Sequence, residues 1–287
     1  MIGALLVDKP AGITSHDAVQ RVRRALGTRS VGHTGTLDPF ATGLLVVLVG
    51  RATRLARFVE PQPKTYLATA RLGVRTDTDD LTGTVVERVG LEEIGRERVL
   101  EVLAGFEGEQ RQRPPAYSAK HVAGERSYRL ARRGATAELP ETTVTVHRIE
   151  PVAWASPELT FRATVSAGTY LRAIARDLGD RLGVGAHLSV LRREAIGRLR
   201  VEDAVPLDRV DKARLLPAAD VLRHLPVMEL DPEAKAAVVH GRPVADSGGA
   251  AGQRGSGAVM LLDGGEVVAV AHSDGGWLKP TVVIGSA

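Results

Sequence analysis

Between Gly32 and Gly43 the chain reads Gly32-His33-Thr34-Gly35-Thr36-Leu37-Asp38-Pro39-Phe40-Ala41-Thr42-Gly43, and Asp38 is the residue there best suited to chemistry. Glycine opens backbone conformations closed to other residues. Pro39 restricts Asp38 to extended geometry, and the continuous apolar run Leu44–Val49 follows directly. A carboxylate held this way is a candidate nucleophile or charge-stabilising group. The other reading is a turn in which Asp38 caps a neighbouring backbone amide. Several chemistries are excluded outright. With no cysteine, the chain has no disulfide, thiolate zinc site, iron–sulfur cluster or cysteine nucleophile. It lacks the phosphate loop G-x-x-x-x-G-K-[ST], a complete G-x-G-x-x-G and the elbow G-x-S-x-G. Its eight histidines form no H-E-x-x-H and no close pair.

The elements that must position Asp38 follow from pattern. Ala4–Val7 reads as a strand running into the turn Asp8-Lys9-Pro10-Ala11-Gly12. Ser15 is expected to cap a helix with Ala18, Val19, Val22 and Leu26 on one face, closed by Gly27. Leu44–Val49 reads as a buried strand and Tyr66–Leu72 as another, with a short helix over Val99–Phe106. Thr142–Val152 and Leu159–Val165 read as paired strands, and Tyr170–Leu182 as an amphipathic helix ending at Gly183. After the prolines 206, 217, 226 and 232, short β-like runs (Ala258–Leu262, Val267–Ala271, Thr281–Ile284) alternate with Gly-rich turns. The expected fold class is α+β: a mixed-sheet catalytic domain over 1–225, then a small all-β module over 226–287. The stretch Asp246–Gly257 is read as a flexible loop.

Length and composition suit this. The chain has 287 residues, 44% hydrophobic and 25% charged, enough for two domains with cores of their own. No apolar run approaches bilayer length and the N-terminus carries no signal-peptide pattern, so a cytoplasmic, non-membrane protein is expected. Charge is unevenly spread. Residues 201–287 carry 8 basic and 12 acidic side chains, whereas Arg111–Arg133 holds seven positives (Arg111, Arg113, Lys120, Arg126, Arg129, Arg132, Arg133) against Glu125 alone. Around Pro114-Pro115 and Gly124, such a segment fits a clamp on phosphates; a solvated surface helix is the plainer reading.

The residues resemble a family. The Gly32–Gly43 segment is similar to the central signature of the bacterial TruB-type tRNA pseudouridine synthases. Other stretches follow in the family's order: Lys9-Pro10 with Gly12, Lys64-Thr65-Tyr66, Arg71-Leu72-Gly73, Arg75 to Asp80, Pro114 to Lys120, Gly168-Thr169-Tyr170-Leu171-Arg172, and Gly185-Ala186-His187-Leu188 through Leu191-Arg192-Arg193. The C-terminal region is more loosely similar to a PUA module. Thr36 and Phe40 depart conservatively from the residues expected there.

The resemblance implies a function and a set of roles. The enzyme would isomerise the T-loop uridine of tRNA (position 55) after flipping it out, without a cofactor. Asp38 would be catalytic, attacking either the uracil ring or ribose C1′. Tyr66 would stack on the base, Arg172 would pair with the catalytic carboxylate, and Asp80 would hold that arginine. Tyr170 and Leu191 would line the base pocket, His33 would enter the T-loop, and Lys9 is counted among the substrate contacts. The basic segment would be a thumb-like insertion, about 111–140, closing over the T-arm. The partner is tRNA, with no obligate protein partner and a monomeric enzyme. Two other readings stay open: a non-catalytic tRNA-folding chaperone on this scaffold, and a guide-dependent synthase. Asp77, Asp79 and Asp80 read as a solvated turn near Arg71 and Arg75, with no metal expected.

Overall fold

A computed structural model describes residues 1–91, 94–117, 139–246 and 257–286, and the backbone alone at 121–122 and 125–126. In chain order the elements are β1 (Gly3–Lys9), α1 (Ser15–Leu26), β2 (Val31–Thr34), β3 (Thr42–Val49), α2 (Ala56–Val59), β4 (Lys64–Leu72), β5 (Val74–Thr76) and β6 (Val85–Arg88). Then come α3 (Arg96–Ala104), β7 (Gly108–Gln112), β8 (His121–Val122), β9 (Glu125–Arg126), β10 (Thr142–Ala155), β11 (Glu158–Val165), α4 (Leu171–Leu182), β12 (Ala186–Ile196), β13 (Leu199–Arg200) and β14 (Val205–Pro206). The last are β15 (Val227–Glu229), α5 (Pro232–Val239), β16 (Val244–Ala245), β17 (Ala258–Asp263), β18 (Glu266–Asp274) and β19 (Trp277–Val283). Two compact units result: residues 1–38, 43–61 and 197–287, and residues 39–42 and 62–196.

In the first unit β1 pairs antiparallel with β3 and parallel with β14, a mixed arrangement, and β2 pairs antiparallel with β3. Helix α1 presents Ala18, Val19, Val22 and Leu26 to Leu5, Val7, Val31, Leu45, Val47 and Val49. That apolar stripe at helical spacing is what drives the helix onto the strands. Its N-cap is Thr14, correcting the expectation of Ser15: Thr14 Oγ1 accepts from Asp17 N–H at 3.0 Å, and Asp17 Oδ2 accepts from Thr14 N–H at 2.9 Å. This reciprocal box satisfies two amides that the first turn would otherwise leave unpaired. Gly27, left-handed at φ 64, ends the helix as expected.

The same unit carries the C-terminal module, a five-stranded sheet in the order β15-β17-β18-β19-β16. All its pairings are antiparallel except β15 with β17. Its core gathers Leu230, Val238, Val259, Leu261, Val268 and Leu278. The module is a small, mostly antiparallel PUA-like β fold, with one helix, α5, that the all-β expectation omitted. Asp231 caps that helix through Ala234 N–H, and Pro232 sits in its first turn, where a missing N–H costs nothing. Of the expected loop at Asp246–Gly257, residues 247–256 lie outside the described residues.

The second unit is built on the antiparallel order β12-β4-β11-β10-β7. Helix α4 lies against β12 and β4. Gly179 allows this close approach, since a Cβ there would stand 2.2 Å from the Ala186 nitrogen. The hairpin β5–β6 follows β4 and carries the acidic turn between its strands.

Candidate active site

Asp38 owes its placement to a residue 22 positions before its own neighbour Leu37. The buried Ser15 hydroxyl donates to the Leu37 carbonyl at 3.1 Å and accepts from the Leu37 N–H at 2.9 Å. Both polar groups of the residue before Asp38 are thereby fixed, and Leu37 itself is buried. Gly35 (φ 72) and Gly43 (φ 102) adopt positive-φ backbone at the two ends of the loop, which explains these two of the three glycines in the motif. Between them Asp38 is partly exposed. Ser15→Ala strands a buried amide, so it is expected to cost about 1–3 kcal/mol, read by urea denaturation.

His33 lies on β2 opposite Val47, partly buried. Lys9 ends β1 with no exposed surface, and its ammonium donates to the Pro10 and Ile13 carbonyls, both at 2.8 Å. A buried ammonium needs such partners, and these two shape the turn that leads into α1.

In the second unit a carboxylate and an arginine 92 residues apart form a buried pair. Arg172 Nη1 donates to Asp80 Oδ2 at 3.2 Å and to the Thr78 carbonyl at 3.0 Å. Its Nη2 donates to the Tyr117 carbonyl at 2.9 Å. Only 4% of each residue is exposed. The other carboxylate oxygen of Asp80 accepts from Thr78 Oγ1, Thr82 N–H and Thr82 Oγ1 at 2.9, 2.9 and 2.6 Å. Burying an ion pair is costly unless further hydrogen bonds support it, and those that Asp80 and Arg172 make also hold the geometry. The turn is stitched to β12 by Leu188 N–H on the Asp79 carbonyl and Leu81 N–H on the Leu188 carbonyl.

The acidic turn is thus not solvated at Asp80, which meets Arg172 as the resemblance implies, and Asp79 meets Arg176 rather than the sequence neighbours Arg71 and Arg75. Arg75 pairs with Glu87 and Asp180 instead. Burial pushes the Asp79 carboxyl above its usual range, with the Arg176 and Arg172 charges pulling it back only in part. Among the described residues no group of three or more His, Cys, Asp or Glu is arranged to hold a metal ion.

Tyr66 and Leu191 share one face of the sheet. Tyr66 stands opposite Arg193 and Leu191 opposite Ala68 in the β4–β12 ladder, which makes the tyrosine and leucine diagonal neighbours. Each is 7% exposed. Tyr170 is the N-terminal flanking residue of α4 and keeps a partly exposed side chain. Gln112, at the end of β7, holds its backbone from both sides: the side-chain oxygen accepts from Tyr170 N–H at 2.8 Å and the side-chain nitrogen donates to the Tyr170 carbonyl at 3.2 Å. Sequence reasoning missed Gln112, Thr78, Thr82 and Arg176, whose value lies in contacts with distant segments. Nothing in the local sequence singles out Gln112, since Gln110 stands in the same basic surroundings two residues earlier.

Of the seven basic residues, Arg111 and Arg113 are exposed and lie near Glu141. Lys120, Arg129, Arg132 and Arg133 lie outside the described residues, as does the side chain of Arg126. No helix of the described residues is long and apolar enough to cross a membrane.

Comparison with known proteins places this geometry. The TruB family pseudouridylate synthase N-terminal domain matches residues 23–171, and the tRNA pseudouridylate synthase B C-terminal domain matches 172–227. The tRNA pseudouridine synthase B of Thermobifida fusca is 44% identical over 98% of both chains. That of Gloeobacter violaceus is 43% identical over 99% of both. Among solved structures, a chain of a Cbf5-Nop10-Gar1 complex aligns with a TM-score of 0.75 at 27% identity, covering 98% of this chain and 84% of that one. A chain of an H/ACA RNP bound to a substrate RNA containing 2'-deoxyuridine aligns at 0.74 and 25%, covering 99% and 85%. The match runs through the Asp38 loop, the acidic turn and the Arg172 helix alike, and the chain belongs to the TruB family of tRNA pseudouridine synthases.

Proposed function

We propose that this isomerase acts on the T-loop uridine of tRNA as a stand-alone, monomeric, cytoplasmic enzyme, using the carboxylate of Asp38. The reaction breaks the N1–C1′ bond and forms a C5–C1′ bond; C5 loses a proton and N1 gains one. Atoms and oxidation level are unchanged, so side-chain acid–base and nucleophilic chemistry is sufficient. The observation that carries the reading is the dry Arg172–Asp80 pair, a fixed cation of the kind that keeps a neighbouring carboxylate ionised. The family resemblance assigns Arg172 that role toward the catalytic carboxylate, and Asp80 holds the arginine. Tyr66 stacks on the extruded base and takes part in proton removal at C5, while Tyr170 and Leu191 line its pocket and His33 fills the space the flipped bases leave. For Lys9 we favour a role in holding the Pro10–Ile13 turn over direct contact with RNA.

The catalytic domain spans 1–225 and the PUA-like module 226–287, a division supported by the separate core of the five-stranded sheet that opens at Val227. Arg111, Arg113, Lys120, Arg126, Arg129, Arg132 and Arg133 grip the RNA backbone. Replacing Arg129, Arg132 and Arg133 by Ala is expected to flatten the slope of log K for tRNA against log salt by about three units, read by filter binding over a salt series. An unchanged slope would remove the segment from the RNA interface.

The resemblance to chains from ribonucleoproteins keeps the guide-dependent alternative in view. The test is an unmodified tRNA transcript incubated with the isolated chain, with pseudouridine mapped by position. Modification of the T-loop uridine alone is expected. Modification that appears only with an added guide RNA, or binding without modification, would favour the other two readings.

A further inference from the structure

Arg172 and Arg176 stand one turn apart on the same face of α4, and each reaches in two directions. Toward the hairpin tip, Arg172 meets Asp80 and Arg176 Nη1 meets Asp79 at 3.1 Å. Toward the chain that follows β7, Arg172 Nη2 donates to the Tyr117 carbonyl and Arg176 Nη2 to the Arg113 carbonyl, both at 2.9 Å. The two arginines are therefore parallel rungs that tie the acidic turn to residues 113–117. Within that stretch Pro114 and Pro115 are buried and have fixed φ, so it behaves as a stiff strap rather than a slack linker. Gln112 fastens its near end to Tyr170, and its far end leads straight into the basic segment.

We propose that Arg176 is a positioning residue that couples engagement of RNA by the basic segment to the alignment of Arg172. Any force that RNA exerts on Lys120 and the basic residues after it is transmitted first to residues 113–117. With both rungs in place the strap presents the Tyr117 carbonyl to Arg172 in one position, and the guanidinium is held square to Asp80. Without the second rung the strap is held by Gln112 at its near end and by Arg172 at Tyr117 alone, and the alignment of Arg172 follows what the loaded segment imposes. Arg176 itself is spent on protein groups: its Nε donates to Asp177 at 2.8 Å besides the two contacts above. An arginine suits this position because its fork meets a carboxylate and a carbonyl at once, which a lysine ammonium at the end of a flexible stem does not do with the same geometry.

The inference rests on the reading of Arg172 as the cation of the reaction and of residues 111–133 as the RNA grip. The test compares wild type, Arg176→Lys, Arg176→Met and Asp79→Asn, measuring single-turnover isomerisation at saturating tRNA, tRNA affinity and thermal midpoint. Arg176→Lys keeps a cation beside Asp79, so it guards against simple misfolding of the Met variant. The expected result for Arg176→Lys is a rate about tenfold lower, the size of a typical coupling between sites, with affinity within about twofold and a wild-type thermal midpoint. A double-mutant cycle then adds Arg129→Ala, Arg132→Ala and Arg133→Ala: if Arg176 transmits engagement, its loss slows the triple variant by less than about twofold. Full additivity, or an unchanged rate in both Arg176 variants while wild type is active, overturns the proposal. An inactive wild type would instead overturn the reading on which it rests.

Discussion

Asp38→Asn is expected to bind tRNA with affinity within about threefold of wild type and to lose at least about ten-thousand-fold in isomerisation rate, the scale on which removal of a catalytic nucleophile is felt. The substitution is nearly isosteric and removes only the charge and one acceptor. It leaves the Ser15–Leu37 clamp intact, because that clamp is made by the backbone of the preceding residue. Stability should therefore change little, and thermal unfolding in parallel separates loss of chemistry from loss of fold. A loss of only a few-fold would return Asp38 to the role of a turn residue, and the enzyme would owe its chemistry to another group.

Arg172→Lys is the second large effect. Lysine keeps the charge, but it cannot serve Asp80, the Thr78 carbonyl and the Tyr117 carbonyl together as the guanidinium does. The rate is expected to fall by about 100- to 1,000-fold, comparable to removing one preorganised donor from a charge-stabilising site. Asp80→Asn probes the same pair from the other side. It leaves a buried arginine without its counter-charge, so it is expected to destabilise the protein by about 3–5 kcal/mol and to slow the reaction as well. If Arg172→Lys retained full activity, the guanidinium would be structural, and the account of the buried pair as catalytic support would fail.

Much of this arrangement was legible in the residues. The stripe Ala18, Val19, Val22, Leu26 and the terminal Gly27 gave α1 because helix period and left-handed glycine are local properties. The Asp38 loop was legible because its Gly and Pro constrain the backbone whatever surrounds them. Strand β12 was not marked. It contains Arg192-Arg193-Glu194, and its pairing with β4 slips at Leu188/Val190 and Arg193/Ala195, so the alternation expected of a strand is broken twice. Arg193 has no exposed surface despite its charge, which no local rule anticipates. The Asp80–Arg172 pair was implied by the family resemblance, but the Asp79–Arg176 pair was missed for a related reason. Arg71 and Arg75 are near in sequence, but α4 brings Arg172 and Arg176 to the turn from more than ninety residues away. The cap of α1 was misplaced by one residue because Thr14 and Ser15 both suit an N-cap; Ser15 is instead used by Leu37, a contact invisible to local reasoning.

The most direct test of the central claim is tritium release from a tRNA transcript labelled at C5 of its uridines, with the isolated protein in excess and no guide RNA or partner present. Forming the C5–C1′ bond requires loss of the C5 hydrogen, so the account predicts release of one tritium's worth per transcript, abolished when the T-loop uridine is replaced by cytidine. Binding of the transcript with no release, or release that survives loss of that uridine, would contradict it.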